Sequence, residues 1–275
     1  MGHIIWLASY PKSGNTWLRA FIHNYLRPSE QPYDINQLLD LTTGESSALR
    51  YARYDPRPAS QFSEQDVQAL RPQVHRDMAG ADRELVFVKT HNALVKFHNI
   101  ELITPEVTDG AIYVVRDPRD VTISFSHHLG IELDEMIALM ANPQTTIRGD
   151  DHKVFEHISS WSAHVHLWTR QTHHRLLVLR YEDMLDKPHG TFQRVASYLE
   201  GKVDQTKLAN AIRHSSFAIL SEQERRSGFV EKPGNASSLF FRNGRAGQWK
   251  TILTAAQRVR IEQAHGTIMR QFRYL

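Results

Sequence analysis

The sequence predicts an α/β fold of three layers, a central parallel sheet flanked by helices. Three observations carry that expectation. Four short apolar runs lack the polar–apolar alternation of half-exposed strands, as expected where a parallel sheet is covered on both faces. Segments with apolar residues at helical spacing lie between them, and such alternation implies right-handed crossovers. A length of 275 residues suits one α/β domain carrying insertions.

The elements follow in chain order. Ile4 to Ala8 is the first strand, and Thr16 to Leu26 a helix with Trp17, Ala20, Phe21 and Tyr25 at helical spacing. Leu85 to Val88 and Ala111 to Val115 are the next strands. Pro118 opens a helix, its fixed φ suiting a first turn. Ser159 to Thr172 is a helix with Trp161, Val165 and Trp168 along one face. Leu176 to Leu179 is the last strand, and Thr254 to Phe272 closes the chain as an amphipathic helix. Three segments break the alternation. Residues 28–84 hold Pro28, Pro32, Pro56, Pro58 and Pro72 between short helical stretches, residues 142–152 are polar, and residues 227–247 are rich in glycine. Long irregular segments in a compact domain are often binding loops. A single domain over 1–275 is therefore expected, with insertions at 28–84, 142–152 and 221–241 walling a binding site.

Composition narrows the chemistry. Lys and Arg number 33 against 30 Asp and Glu, a formal net charge of +3. That excess is too small to signal a nucleic-acid partner, but a local basic site for an anion remains open. The absence of cysteine removes disulfide frameworks, zinc fingers, iron–sulfur ligation and thiol nucleophiles together, and is compatible with the reducing cytoplasm, the expected location. Sixteen histidines raise the question of metal. There is no HExxH, the pairs His127-His128 and His173-His174 project differently on a helix, and His164 and His166 do not share a helical face, so no metal site is expected. No apolar run approaches the ~20 residues of a membrane span, and the N-terminal segment lacks the basic start and cleavage site of a signal peptide. No membrane partner is expected.

The segment Ser9-Tyr10-Pro11-Lys12-Ser13-Gly14-Asn15-Thr16-Trp17 leaves a strand and opens a helix. Unpaired N–H groups and the helix dipole favour an anion at such a place. Against the pattern G-x-x-x-x-G-K-[ST], Ser9 stands at the first glycine, Gly14 and Thr16 match, and Asn15 replaces the lysine. Lys12 supplies the charge from the loop tip. The flanking strand and helix favour a phosphate loop over a plain Pro-Lys-Ser-Gly turn, which makes the expected fold P-loop-like.

YPKSGNTW resembles the 5′-phosphosulfate loop of the sulfotransferases that use 3′-phosphoadenosine 5′-phosphosulfate (PAPS), in which Thr or another small residue usually stands at Asn15. Further resemblances occur in the family's order over most of the chain. Lys89-Thr90-His91 leaves the second strand, where α/β folds bind ligands. A histidine there is by itself more often structural; the resemblance makes His91 the general base and puts Lys89 near the transferring group. A neutral imidazole suits removal of a hydroxyl proton. Val114 to Ser124 is similar to the family's 3′-phosphate segment, implying that Arg116 and Ser124 hold that phosphate with a guanidinium and a hydroxyl. In isolation the run Arg116-Asp117-Pro118-Arg119-Asp120 reads as a salt-bridged turn. Phe241 to Lys250 resembles R-K-G-x-x-G-x-W-K, which implies that Arg242, Asn243 and Gly244 complete the 3′-phosphate site. Asn243 replaces a usual lysine, and Arg245 offers a substitute charge. The resemblance also implies that Lys12, Ser13, Gly14, Asn15 and Thr16 hold the 5′ group and that Trp17 stacks on adenine. Ser215 and Phe217 in His214-Ser215-Ser216-Phe217 would lie on the adenine side, and Tyr181 in Arg180-Tyr181-Glu182-Asp183-Met184 would bond near the nucleotide.

The implied reaction is in-line sulfuryl transfer from PAPS to the hydroxyl of a small-molecule acceptor (a phenol, an alcohol or a natural product), leaving 3′-phosphoadenosine 5′-phosphate (PAP). His91 takes the proton, Lys12 stabilises the leaving oxygen, and Lys89 with loop N–H groups stabilises the equatorial oxygens. No metal is required by such a scheme. Two other readings stay open at this level. One is a P-loop kinase or NTPase, with Asp117 as the strand-end acid. The other is a non-catalytic nucleotide-binding protein. The family's dimer segment K-x-x-x-T-V-x-x-x-E keeps Lys250 and Thr254 here, but Ala255 and Val259 replace its Val and Glu, so that pairing mode is not expected and the oligomeric state is open.

Overall fold

The computed structural model describes residues 3–80, 85–232 and 239–275; residues 81–84 and 233–238, parts of the expected insertions at 28–84 and 221–241, lie outside the described residues. Five strands, β1 (His3–Ser9), β2 (Thr42–Gly44), β3 (Leu85–Thr90), β4 (Thr108–Val115) and β5 (Arg175–Arg180), form one sheet in the order β2-β3-β1-β4-β5. Every neighbouring pair is parallel. Four of these are the apolar runs read from sequence. β2 was not anticipated, because Thr42-Thr43-Gly44 is too short and too polar to signal a strand.

The apolar runs lack alternation because both faces of the sheet are covered. Along β1, Ile4, Trp6 and Ala8 belong to one core and Ile5 and Leu7 to the other. The first core also takes α5 (Trp161–Arg170) through Trp161, Val165 and Trp168, and α10 (Ala255–Gln271) through Ile261 and Ile268. The second takes α1 (Asn15–Leu26) through Leu18, Phe21 and Ile22, α7 (Pro188–Glu200) through Phe192 and Val195, and α8 (Gln205–His214) through Leu208 and Ala211. α3 (Pro118–Leu129) starts at the expected proline, with Asp117 as its cap. The closing helix begins with a capping box in which Thr254 and Gln257 satisfy each other's backbone, an arrangement that satisfies two otherwise unpaired donors. The short helices α4 (Leu133–Ala141), α6 (Tyr181–Asp186) and α9 (Phe217–Ser227) fill the connections.

One expectation fails. Residues 64–79 do not break at Pro72 but form the 16-residue helix α2 (Glu64–Ala79). A proline inside a helix costs about 3 kcal/mol, and here tertiary contacts outweigh it. A capping box of Ser63 and Asp66 starts the helix, and Val67, Gln68, Arg71, Val74, His75 and Met78 bury one face. That face carries a polar network with no exposure. Arg71 donates to both Glu45 oxygens at 2.5 and 2.6 Å, to the Phe155 carbonyl at 3.1 Å, and to Gln68 at 3.1 Å. His75 lies 3.2 Å from Glu45 and 2.8 Å from the Thr104 hydroxyl. The Asn92 amide also donates to Glu45, and its oxygen accepts from the His157 N–H at 2.8 Å. The network thus ties α2 and the loop after β2 to the segment leaving β3.

Removing one partner of a buried ion pair strands the other charge, at a cost of about 3–5 kcal/mol. Arg71→Ala should therefore lower unfolding stability by about that much in denaturant titration. A loss under about 1 kcal/mol would contradict the network's role.

Candidate active site

β1 lies at the centre of the sheet, and the chain builds outward from it in both directions. In open α/β sheets such a reversal leaves a crevice at the carboxyl ends of the strands. A cavity of about 220 Å³ opens there, lined among others by Lys12, Gly14, Asn15, Thr16, Trp17, Lys89, His91, Arg116, Ser124, Tyr181, Phe217, Arg242, Asn243 and Gly244.

The loop after β1 ends at Gly14, the N-cap of α1, with φ 106°. A side chain is excluded there twice over: that φ disfavours any L residue, and a Cβ would stand 2.7 Å from the Tyr181 ring. No side chain caps the helix, so its first N–H groups are left for an anion. Asn15, in the position of the usual lysine, faces the strand as well as the cavity. Its amide donates to the Leu7 carbonyl at 2.8 Å and to the Ser9 hydroxyl at 3.3 Å, clamping the helix start to β1. Ser13 is fully buried and does not line the cavity; its N–H donates to the Tyr10 carbonyl at 3.3 Å. Lys12 adopts φ 65°, rare for a residue with a side chain. Its ammonium lies 3.8 Å from the centre of the Phe240 ring and 3.5 Å from His128 Nδ1. Burial, and then the charges of Lys89 and Arg116, bring its pKa down to about 7.

His91 follows the end of β3. Its Nδ1 is 2.8 Å from the Ser9 carbonyl. A carbonyl only accepts, so Nδ1 carries the proton and Nε2 keeps its lone pair. Burial, reinforced by the Lys89 charge, holds the imidazole pKa well below its ordinary range, so the ring is neutral. Neighbours fix its backbone. His164 Nε2 donates to the His91 carbonyl at 3.1 Å, and the Tyr113 hydroxyl donates to His164 Nδ1 at 2.8 Å. Trp168 donates to the Asn92 carbonyl at 2.9 Å. Burial also lowers the Lys89 pKa, opposed by the Glu231 carboxylate.

Arg116 leaves β4 and bridges two loops, donating to the Lys12 carbonyl at 3.0 Å and to the Arg245 carbonyl at 3.1 Å. Its guanidinium stacks 4.2 Å above the Tyr181 ring, and its buried Nε has no partner among the described residues. The salt-bridged-turn reading of the following residues also holds, at different side chains. Asp117 pairs with Arg119 at 2.7 Å and caps α3; a carboxylate so occupied is not a free strand-end acid of the kinase kind. Asp120 accepts from the Gly247 and Trp249 N–H groups at 2.6 and 3.1 Å, pinning the loop that carries Arg242. Gly244 has φ 53°, and a Cβ there would press to 2.3 Å from the Phe217 ring. Asn243 donates to Gln248 at 2.6 Å.

Two expected ligand residues, Ser13 and Ser215, do not reach the cavity. Ser215 is fully buried, and its hydroxyl donates to the Ala211 carbonyl at 2.8 Å, a backward bond of the kind Ser makes within its own helix. Arg245, the substitute charge that the sequence leaves open, is exposed and meets the site through its carbonyl. Other wall residues were named by no motif, although Ser46 and Phe240 fall within the expected insertions at 28–84 and 221–241. His128 stands four residues after Ser124 on α3, a helical-face signal that pointed to it. Burial brings its pKa down to about 3, leaving Nδ1 neutral beside Lys12. Ser46, Lys153, Glu156 and Phe240 sit in no motif, and Lys153 falls one residue beyond the insertion expected at 142–152. Among the described residues no group of three or more His, Asp or Glu is arranged to hold a metal ion, and no helix is long and apolar enough to cross a membrane.

Known proteins resemble the chain in sequence and in fold. The family model described as "Sulfotransferase domain" matches residues 3–273. The chain is 24% identical over 274 residues to mouse sulfotransferase 1 family member D1, covering 94% of this chain and 81% of the relative. Its fold is similar to that of mouse sulfotransferase SULT7A1 complexed with PAP, with a TM-score of 0.60 at 19% identity over 98% of this chain and 85% of that one. It is also similar to retinol dehydratase in a complex with retinol and PAP, with a TM-score of 0.65 at 19% identity over 97% of this chain and 81% of that one.

The Lys12 environment makes anion binding pH-dependent. With a pKa near 7, Lys12 is mostly neutral above that pH in the free protein, and a bound anion raises its pKa and draws a proton onto it. Affinity for sulfate, which does not titrate here, should fall by up to about tenfold per pH unit above 7. In Lys12→Met the slope should vanish. A flat wild-type profile by calorimetry would contradict the assignment.

Proposed function

Since the chain belongs to the sulfotransferase family, we propose that it moves a sulfuryl group from PAPS to the hydroxyl of a small-molecule acceptor and releases PAP. The observation that carries this reading is the lone pair of His91 Nε2, held in one cavity with Lys12, Lys89 and an uncapped helix start. A single domain over 1–275 and a cytoplasmic location belong to the same reading; the family match across nearly the whole chain supports the first.

The donor fits the residues present. The open start of α1 and the Lys12 ammonium suit the 5′-phosphosulfate. Arg116, with its unpartnered Nε and remaining N–H groups, suits the 3′-phosphate together with Ser124, Arg242 and the Gly244 N–H. Asn243, committed to Gln248, contributes shape rather than charge. Trp17, whose buried indole N–H has no partner among the described residues, and Phe217 present aromatic surface for adenine, with Tyr181 beside them.

Each chemical role then follows from its surroundings. The acceptor hydroxyl gives its proton to His91 Nε2 as its oxygen attacks sulfur and the bond from sulfur to the bridging oxygen breaks. The Nδ1–H bond to Ser9 stabilises the imidazolium that forms. Lys12 would stabilise the charge that accumulates on the bridging oxygen, and Lys89 that on the equatorial oxygens. Preorganised donors in a water-poor site are worth most at such points. The kinase reading is weakened by Asp117, which is taken by Arg119, and by Asn15, which works as a clamp.

Incubation with PAPS and a phenol should yield PAP and a product heavier by one sulfo group. His91→Ala should lower turnover about 10²–10⁴-fold while PAP still binds. Turnover near the wild-type rate would contradict the base assignment. Arg116→Ala should lose about 10–100-fold of the preference for PAP over its 3′-dephosphorylated analogue, and an unchanged preference would contradict its role.

A further inference from the structure

The cavity continues past His91 into a wall that is partly apolar, with Phe125 and Phe240, and partly polar, with Ser46, Lys153 and Glu156. Strand order separates the polar part of this wall from the nucleotide residues, whereas Phe125 lies beside Ser124 and Phe240 beside Lys12. Arg116 and Ser124 come off β4, on one side of β1. Ser46 follows β2, on the far side of β3. The Ser46 carbonyl accepts from the Val154 N–H at 2.8 Å, and the Ala48 N–H donates to the His152 carbonyl at 2.9 Å, which brings the Lys153–Glu156 segment to the same side.

Glu156 is only 8% exposed, yet among the described residues it forms no salt bridge. The buried Glu45 is already paired with Arg71 at 2.5 Å, and the half-buried Glu231 of the same cavity with Arg19 at 2.7 Å. Ser46, Lys89 and Lys153 line the same cavity as Glu156; burial raises its carboxyl pKa, and the Lys89 and Lys153 charges and the Ser46 hydroxyl oppose that rise. A buried carboxylate needs hydrogen-bond donors. A cationic ligand would meet both ammonium groups. A neutral hydroxyl suits the site better, because it donates to the carboxylate and accepts from an ammonium at once.

We propose that Glu156 and Lys153 form a subsite for a second hydroxyl of the acceptor, so that the preferred acceptor is a polyhydroxylated compound with an apolar group, of the aryl glycoside kind, rather than a plain phenol. The apolar group packs against Phe125 and Phe240, and the subsite hydroxyl exchanges hydrogen bonds with Glu156 and Lys153. This rests on the reading of the cavity as a sulfuryl-transfer site.

The test compares phenyl β-glucoside with phenol as acceptors at saturating PAPS. The wild type should favour the glucoside by about tenfold or more in kcat/KM. Glu156→Gln should lower the glucoside value about 10–100-fold more than the phenol value, chiefly through KM. Lys153→Met, at an exposed position where the fold is not at stake, should erode the same preference. Equal losses on both acceptors, or no wild-type preference, would overturn the subsite while leaving sulfuryl transfer to phenol in place. If neither compound is turned over, calorimetry of phenyl β-glucoside with the PAP-loaded protein decides: binding weakened at least tenfold in Glu156→Gln supports the subsite, and equal binding overturns it.

Discussion

The site depends on one hydrogen bond, from His91 Nδ1–H to the Ser9 carbonyl at 2.8 Å. β1 and β3 are paired in parallel with Ala8 opposite Thr90, so Ser9 and His91 are the next residues of two adjacent strands. The bond therefore joins the phosphate loop to the base at the point where both leave the sheet. It also sets the tautomer, since a carbonyl accepts only one kind of partner. Asn15 reaches the same place from the helix, donating to the Ser9 hydroxyl and the Leu7 carbonyl. Loop, helix start and base are thus registered to one another by the pairing of two strands, which is more rigid than any loop contact.

Burial explains the electrostatics. A net charge of +3 is modest, yet Lys12, Lys89, Arg116 and Arg242 share one cavity. Taking them out of water and beside each other lowers the pKa of Lys12, Lys89 and Arg242. The same burial, with Lys89 close by, keeps His91 neutral. A polyanion entering this cavity relieves the repulsion among the cations, while the imidazole stays poised to accept a proton. Placement of charge, rather than its total, carries the specificity.

Much of this was legible in the sequence for identifiable reasons. Strands buried on both faces leave unbroken apolar runs, and a strand–glycine–helix junction leaves a short local pattern. Arg116 and His91 could be set at strand ends from the apolar runs, but only the family resemblance gave them roles. What sequence could not show depends on long-range contacts. β2 exists because it pairs with β3, not because Thr42-Thr43-Gly44 favours a strand. α2 runs through Pro72 because Arg71 and His75 meet Glu45 across 26 and 30 residues of chain. Ser215 looked like a ligand contact but spends its hydroxyl on its own helix. Lys153 and Glu156 reach the cavity only through the pairing of residues 46–48 with 152–154, which no spacing rule encodes.

The most direct measurement is ¹⁵N nuclear magnetic resonance of the imidazoles, with His91 assigned by difference from His91→Gln. The account predicts a neutral ring protonated at Nδ1, unchanged as pH falls through 6.5 to about 5.5, well into the range where an ordinary histidine takes up a proton. A ring protonated at Nε2, or one that titrates near 6.5, would contradict the proposal that His91 presents a free Nε2 lone pair to the acceptor hydroxyl.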